Sequence, residues 1–139
     1  MAPSRSRDAA AAQMRSPLGR ARGLGSAKEG VDHWLLQRVT AVALVPLSLW
    51  FVIALIELVG ADFDAMQDWV GRPLPAILLV LLLIATFYHA ALGLQVVIED
   101  YVHGELARVG LVILTRLACA GLAVAGIVAV LTLALGAAD

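Results

Sequence analysis

One stretch limits what this chain can fold into more than any other: from Pro73 to Ile98 no Lys, Arg, Asp or Glu interrupts a run of apolar residues. A bilayer's hydrocarbon core is about 30 Å thick and takes roughly 20 helical residues to cross, so the run is long enough to span it. Two further runs match it: Val39 to Ile56, entered near Trp34, and Leu117 to Ala138, preceded by a helical extension from about Glu105 to Arg116. Period-two alternation is missing from all three, which excludes a membrane barrel. The expected fold is an all-α membrane protein with three transmembrane helices over about 34–58, 74–99 and 106–136. They form one anchor domain, 33–139, behind a basic N-terminal segment, 1–32. With 61% of its 139 residues hydrophobic and only 15% charged, a soluble domain of this size has nowhere to hide so much apolar surface.

The charges are segregated. Seven of the ten basic residues (Arg5, Arg7, Arg15, Arg20, Arg22, Lys28 and Arg38) precede or open the first span, and Arg108 and Arg116 follow the turn that contains His103. The connection from Gly60 to Arg72 instead carries Asp62, Asp64 and Asp68. The positive-inside rule then puts the N-terminus and the His103 turn in the cytoplasm and the C-terminus in the periplasm. That describes a multi-pass protein of the bacterial inner membrane, in contact with lipid and with no nucleic-acid partner. The Arg-rich opening leads into Ala, Ser and Gly rather than an apolar core, unlike a signal peptide. Its Arg- and Ser-containing, acid-poor composition also suits a mitochondrial transit peptide, so the mitochondrial inner membrane stands as the alternative location.

Several features concern packing. Pro46 interrupts the hydrogen-bond ladder of the first span and is expected to kink it. Gly121, Ala125 and Ala129 recur every four residues on the third span, a smooth stripe that lets another helix approach. Trp34 and Trp69 fall at expected membrane interfaces. A single cysteine, Cys119, allows no internal disulfide and is expected to be a small buried packing residue.

His89 is different, because an ionisable group inside a span is costly and is a functional candidate by default. Gly93, four residues on and on the same helix face, removes a side chain beside the imidazole. Something flat and large fits there, and a porphyrin answers that description. On position alone, a hydrogen bond to a neighbouring helix explains His89 equally well.

The residues also carry a resemblance. Lys28-Glu29-Gly30, then His33-Trp34-Leu35-Leu36-Gln37-Arg38-Val39-Thr40-Ala41, and above all His89-x-x-x-Gly93-x-Gln95-x-x-x-x-Asp100-Tyr101 look like the small hydrophobic membrane-anchor protein of succinate dehydrogenase, respiratory complex II. The runs Arg15-Ser16-Pro17-Leu18-Gly19-Arg20 and Gly23-Leu24-Gly25-Ser26-Ala27-Lys28 look like its alphaproteobacterial branch. The similarity extends from about Arg15 to the third span, and its specific part is the spacing from His to Asp-Tyr. It implies an anchor that holds one haem b jointly with a second anchor subunit, binds ubiquinone, and docks the flavoprotein and iron–sulfur subunits.

Carried onto this chain, the resemblance makes His89 an axial ligand of haem iron, with the other axial ligand from another chain. Arg38 becomes the partner of a haem propionate, which suits a permanently charged, forked guanidinium, although the positive-inside rule alone also accounts for it. His33 lies near enough in sequence to assist, while His103, beside Gly104 and Glu105, reads as a solvated loop residue. Tyr101 is assigned to quinone, donating a hydrogen bond to a carbonyl, and Asp100 to the surrounding proton-carrying network. An aromatic-belt tyrosine after a helix-ending aspartate is the plainer alternative. His89 falls about 14 Å from the Ile98 end of its helix, below Asp100 and Tyr101 at the cytoplasmic mouth.

No flavin fingerprint and no Cys-rich cluster motif occurs, so chemistry on succinate itself belongs to other subunits. Two other functional classes fit the residues without the resemblance. One is a small transporter component with His89 as proton relay, and the other is a scaffold with His89 as an interhelical contact.

Overall fold

The computed structural model describes residues 28–136, with a unit boundary after Asp32. Of the residues before that boundary only 28–32 are described, as helix. The arginines from Arg5 to Arg22, and with them the expected transit-peptide or cytoplasmic segment, lie outside the described residues. Four helices follow in order: α1 Lys28–Glu57, α2 Phe63–Gly71, α3 Pro73–Tyr101 and α4 Glu105–Gly136. No strand occurs among the described residues.

The three expected spans are α1, α3 and α4, of 30, 29 and 32 residues. At 1.5 Å per residue each is about 45 Å long, more than the hydrocarbon core requires, so its ends pass into the headgroup region or the helix tilts. The helices also outrun the apolar stretches. α1 begins at Lys28 rather than near 34, and α3 continues through Asp100 and Tyr101. Hydropathy marks only the part of a helix that lipid must surround, whereas backbone hydrogen bonding continues through polar residues until something stops it. α1 also runs unbroken through Pro46.

The connection from Gly60 to Arg72, expected from sequence to be a loop, contains a helix. Gly60, at φ +84°, turns the chain after α1 in the left-handed region that favours glycine. Asp62 then caps α2, its Oδ1 accepting from the Ala65 N–H at 2.9 Å. α2 ends at Gly71 with Arg72 as its cap, and Pro73 starts α3 at the first helical position, where a missing N–H costs nothing. Trp69 stacks on Trp50 of α1 with ring centroids 5.9 Å apart and planes at 16°, and Val70 is buried. These contacts hold the short helix against the ends of the spans.

α3 and α4 are joined by a tight turn, closed by Val102 N–H donating to Ile98 O at 2.9 Å and Arg108 N–H to Gly104 O at 2.8 Å. Ala85 and Leu92 of α3 and Cys119 of α4 are buried, as expected for Cys119. Gly126 admits Leu83 so closely that a Cβ there would stand 3.0 Å from Leu83 Cδ2. The seam on α4 therefore passes through Cys119 and Gly126, seven residues apart, the spacing of a packed helix pair. Gly121, Ala125 and Ala129 are exposed, so their stripe lies off the α3 contact. Large side chains such as Val42, Leu114 and Leu117 face outward, consistent with helices whose other faces meet lipid or other chains.

Candidate functional site

His89 lies midway along α3, half-buried, and its ring reaches α1: Nδ1 is 2.9 Å from Thr40 Oγ1. Thr40 Oγ1 is also 2.8 Å from Leu36 O and 3.1 Å from Gln37 O, the back-bonded position of a helical threonine. One turn further along the contact, Gln37 of α1 faces Gly93 of α3, where a Cβ would be 3.6 Å from Gln37 Nε2. Thr40 opposite His89 and Gln37 opposite Gly93 make the two helices antiparallel, with the start of α1 beside the end of α3.

His33, Gln37 and Thr40 recur at helical spacing and form one polar face on α1. His33 Nε2 and Gln37 Oε1 are buried without a hydrogen-bond partner. Burying such atoms unpaired costs about 1–3 kcal/mol each, so this face suits a polar group from outside the chain. The Gln37 amide bounds the space that Gly93 opens, leaving room there for a methyl group.

The remaining expected site residues are spread around this contact. Arg38 is exposed and its guanidinium lies over Trp34, 5.0 Å from the ring centroid. Two residues along a helix is a rotation of about 200°, so Arg38 leaves α1 on the face away from Thr40. Along the axis it is about 3 Å from the His89 level, toward the Tyr101 end. Asp100 and Tyr101 close α3, both exposed, Tyr101 by 79%. They stand about 18 Å along the helix from His89. His103 is exposed in the turn, as the sequence suggests.

A second polar chain crosses between α3 and α4. Arg116 Nη2 donates to Gln95 Oε1 at 2.6 Å, and Gln95 Nε2 donates to Glu99 Oε1 at 2.7 Å. Arg116 lies eleven residues inside α4 rather than near the turn, and edges an apolar groove of about 420 Å³ lined by Phe87, Tyr88 and Leu92.

Among the described residues no group of three or more His, Cys, Asp or Glu side chains is placed to hold a metal ion. The Thr40–His89 contact is the interhelical hydrogen bond that position alone suggests for a membrane histidine. The chemistry of the donors also fits a haem, since one ring nitrogen of His89 is engaged by Thr40 and unpaired polar atoms lie on the adjoining α1 face. Sequence reasoning singled out His89 but missed Thr40 and Gln37. The signal available was the polar i, i+4, i+7 pattern leading into an apolar span.

A family model described as the succinate dehydrogenase/fumarate reductase transmembrane subunit matches residues 12–135. The succinate dehydrogenase hydrophobic membrane anchor subunit of Rickettsia bellii is 41% identical over 116 residues, covering 84% of this chain and 93% of the relative. Its counterpart in Rickettsia conorii is 35% identical over 116 residues, covering 83% and 92%. That of Paracoccus denitrificans is 33% identical over 97 residues, covering 70% and 75%. No solved structure matches the chain.

Proposed function

The chain belongs to the succinate dehydrogenase/fumarate reductase transmembrane subunit family, as a membrane anchor of the bacterial inner membrane, and from that premise we propose that it supplies half of a haem b site and part of a ubiquinone site. In this reading His89 would hold the haem iron through its imidazole, with the rest of the site supplied by the second anchor subunit. Haem supplies one-electron chemistry, tuned by its axial ligands and its burial. His33, with its unpaired ring nitrogen on the α1 face, offers a hydrogen bond to the same group.

Arg38 pairs with a propionate. Arg38 would offer that propionate its forked guanidinium from the face of α1 away from Thr40. Tyr101 donates its hydroxyl hydrogen to a quinone carbonyl, and Asp100 orients that donor and passes protons during two-electron, two-proton reduction. Their exposure at the end of α3 suits a site completed by the iron–sulfur subunit and the second anchor. Electrons from succinate oxidation in the flavoprotein then reach quinone at the membrane surface on which those subunits dock. The positive-inside rule makes this the cytoplasmic surface.

The observation that carries the reading is a half-buried histidine midway along a membrane span, hydrogen-bonded through one ring nitrogen, in a chain of this family. The test is a reduced-minus-oxidised absorption spectrum of the assembled complex with succinate as reductant. A low-spin haem signal is expected in the native complex and an altered or absent one in His89→Ala. A native complex without haem overturns the reading.

A further inference from the structure

We propose that Thr40 is the positioning residue of His89: its hydroxyl, spending its hydrogen on the α1 backbone, accepts from His89 Nδ1–H and so leaves Nε2 as the unprotonated, ligating nitrogen. The inference rests on the reading of His89 as a haem ligand and adds to it a residue, a tautomer and a direction.

One hydrogen atom decides the direction of the bond. A threonine hydroxyl carries a single donor and two acceptor lone pairs. Thr40 Oγ1 sits 2.8 Å from Leu36 O and 3.1 Å from Gln37 O, so the hydrogen directed at its own helix is shared between, or committed to one of, two carbonyls. Toward His89 Nδ1, at 2.9 Å, the oxygen then has only lone pairs to offer. Nδ1 must therefore carry the proton, and in a neutral imidazole the other nitrogen is bare. The opposite assignment, with the hydroxyl donating to Nδ1, puts the proton on Nε2 and blocks that nitrogen as a ligand.

Because Nδ1 is turned toward α1, the Nε2 lone pair points away from Thr40, and the ring plane is anchored to a span rather than free to rotate. A hydrogen bond accepted from the distal ring N–H also makes an imidazole a stronger donor, as such supporting bonds do at metal sites. A stronger axial donor favours ferric over ferrous iron, so Thr40 holds the haem potential down.

The test uses the assembled complex with Thr40→Val, which keeps the branched shape and deletes the hydroxyl, and Thr40→Ser, which keeps the hydroxyl. Thr40→Val is expected to raise the haem midpoint potential by about 59 mV, a roughly tenfold loss of ferric preference for a one-electron couple. Its ferric electron paramagnetic resonance g values should shift, and Thr40→Ser should return both readouts to those of the native complex. Haem loss in Thr40→Val but not in Thr40→Ser also supports the role. Native potential and g values in Thr40→Val, or equal changes in both variants, overturn it.

Assembly is read separately from succinate oxidation with an artificial dye. If Thr40→Val does not assemble, Thr40→Ala is measured in its place with the same criteria, and failure of both alongside a normal Thr40→Ser marks the hydroxyl as required. His89→Ala separates ligation by His89 from its support by Thr40. An unchanged low-spin spectrum there removes the ligand reading and this one together. A changed spectrum there with a native Thr40→Val removes only the part assigned to Thr40.

Discussion

The amide of Gln37 faces Gly93, where a Cβ would stand 3.6 Å from Nε2, an ordinary van der Waals distance. Gly93→Ala should therefore be accommodated with little change in haem spectrum or thermal stability. Gly93→Leu drives a longer side chain into Gln37 and should cost about 1–3 kcal/mol, the usual range for overpacking. Because His89 is one turn away, its hydrogen bond to Thr40 should be disturbed as well. Thermal unfolding of the detergent-purified complex, read beside its haem spectrum, checks this. Equal tolerance of alanine and leucine would mean that α1 does not approach Gly93.

The stack of Trp50 on Trp69 makes a separate prediction about α2. An aromatic pair contributes about 0.5–1.5 kcal/mol beyond the area it buries, so Trp69→Ala should lower the unfolding temperature and Trp69→Phe should do so less. Neither should change the haem spectrum, since α2 lies outside the His89 contact. A spectral change in Trp69→Phe would count against that separation.

For His89, replacement by Ala or Tyr should lower or alter bound haem while the spans still insert. Ligation is local, whereas insertion depends on apolar runs that the substitution leaves in place. Haem content per assembled complex and an accessibility assay of the two termini measure the two properties independently. A native low-spin spectrum in His89→Ala would rule out the ligand role.

Arg38→Lys preserves the positive charge that guides topology but loses the planar fork suited to a carboxylate. Haem retention or midpoint potential should shift while orientation stays native. If Arg38→Lys titrates as the native protein does and Arg38→Ala inverts the chain, Arg38 is a topology signal and the propionate assignment fails.

The spans were legible because lipid leaves one signature in sequence, an apolar run too long for anything else, and α1, α3 and α4 each contain one. α2 was not. Nine residues with three aspartates in or beside them suggest a loop, and the helical state rests on the Asp62 cap and on Trp50, a residue of another helix. The Gly121 stripe shows the same limit in reverse: a four-residue repeat identifies a smooth face but not what meets it, and α4 turns Cys119 and Gly126 toward α3. His89 stood out because it is ionisable in an apolar run. Thr40 and Gln37 did not, since their importance lies in the register of α1 against α3, which only a folded chain displays.

Tyr101 allows the quinone surface to be separated from succinate chemistry. Tyr101→Phe deletes one hydroxyl and keeps the ring, so α3 should pack as before while the hydrogen bond to a quinone carbonyl disappears. Losing one such bond with its partner left unsatisfied costs about 1–3 kcal/mol, roughly a five- to 150-fold effect. Succinate oxidation with an artificial dye that accepts electrons before the membrane should stay near native. Quinone reduction by the same preparation should fall, and Asp100→Asn should lower it too if the carboxylate supports the proton network. At 79% exposure Tyr101 has little packing of its own to lose in this chain, so a fall in both activities would indicate failed docking of the catalytic subunits. Retention of both would leave Tyr101 as an interfacial aromatic at the end of α3.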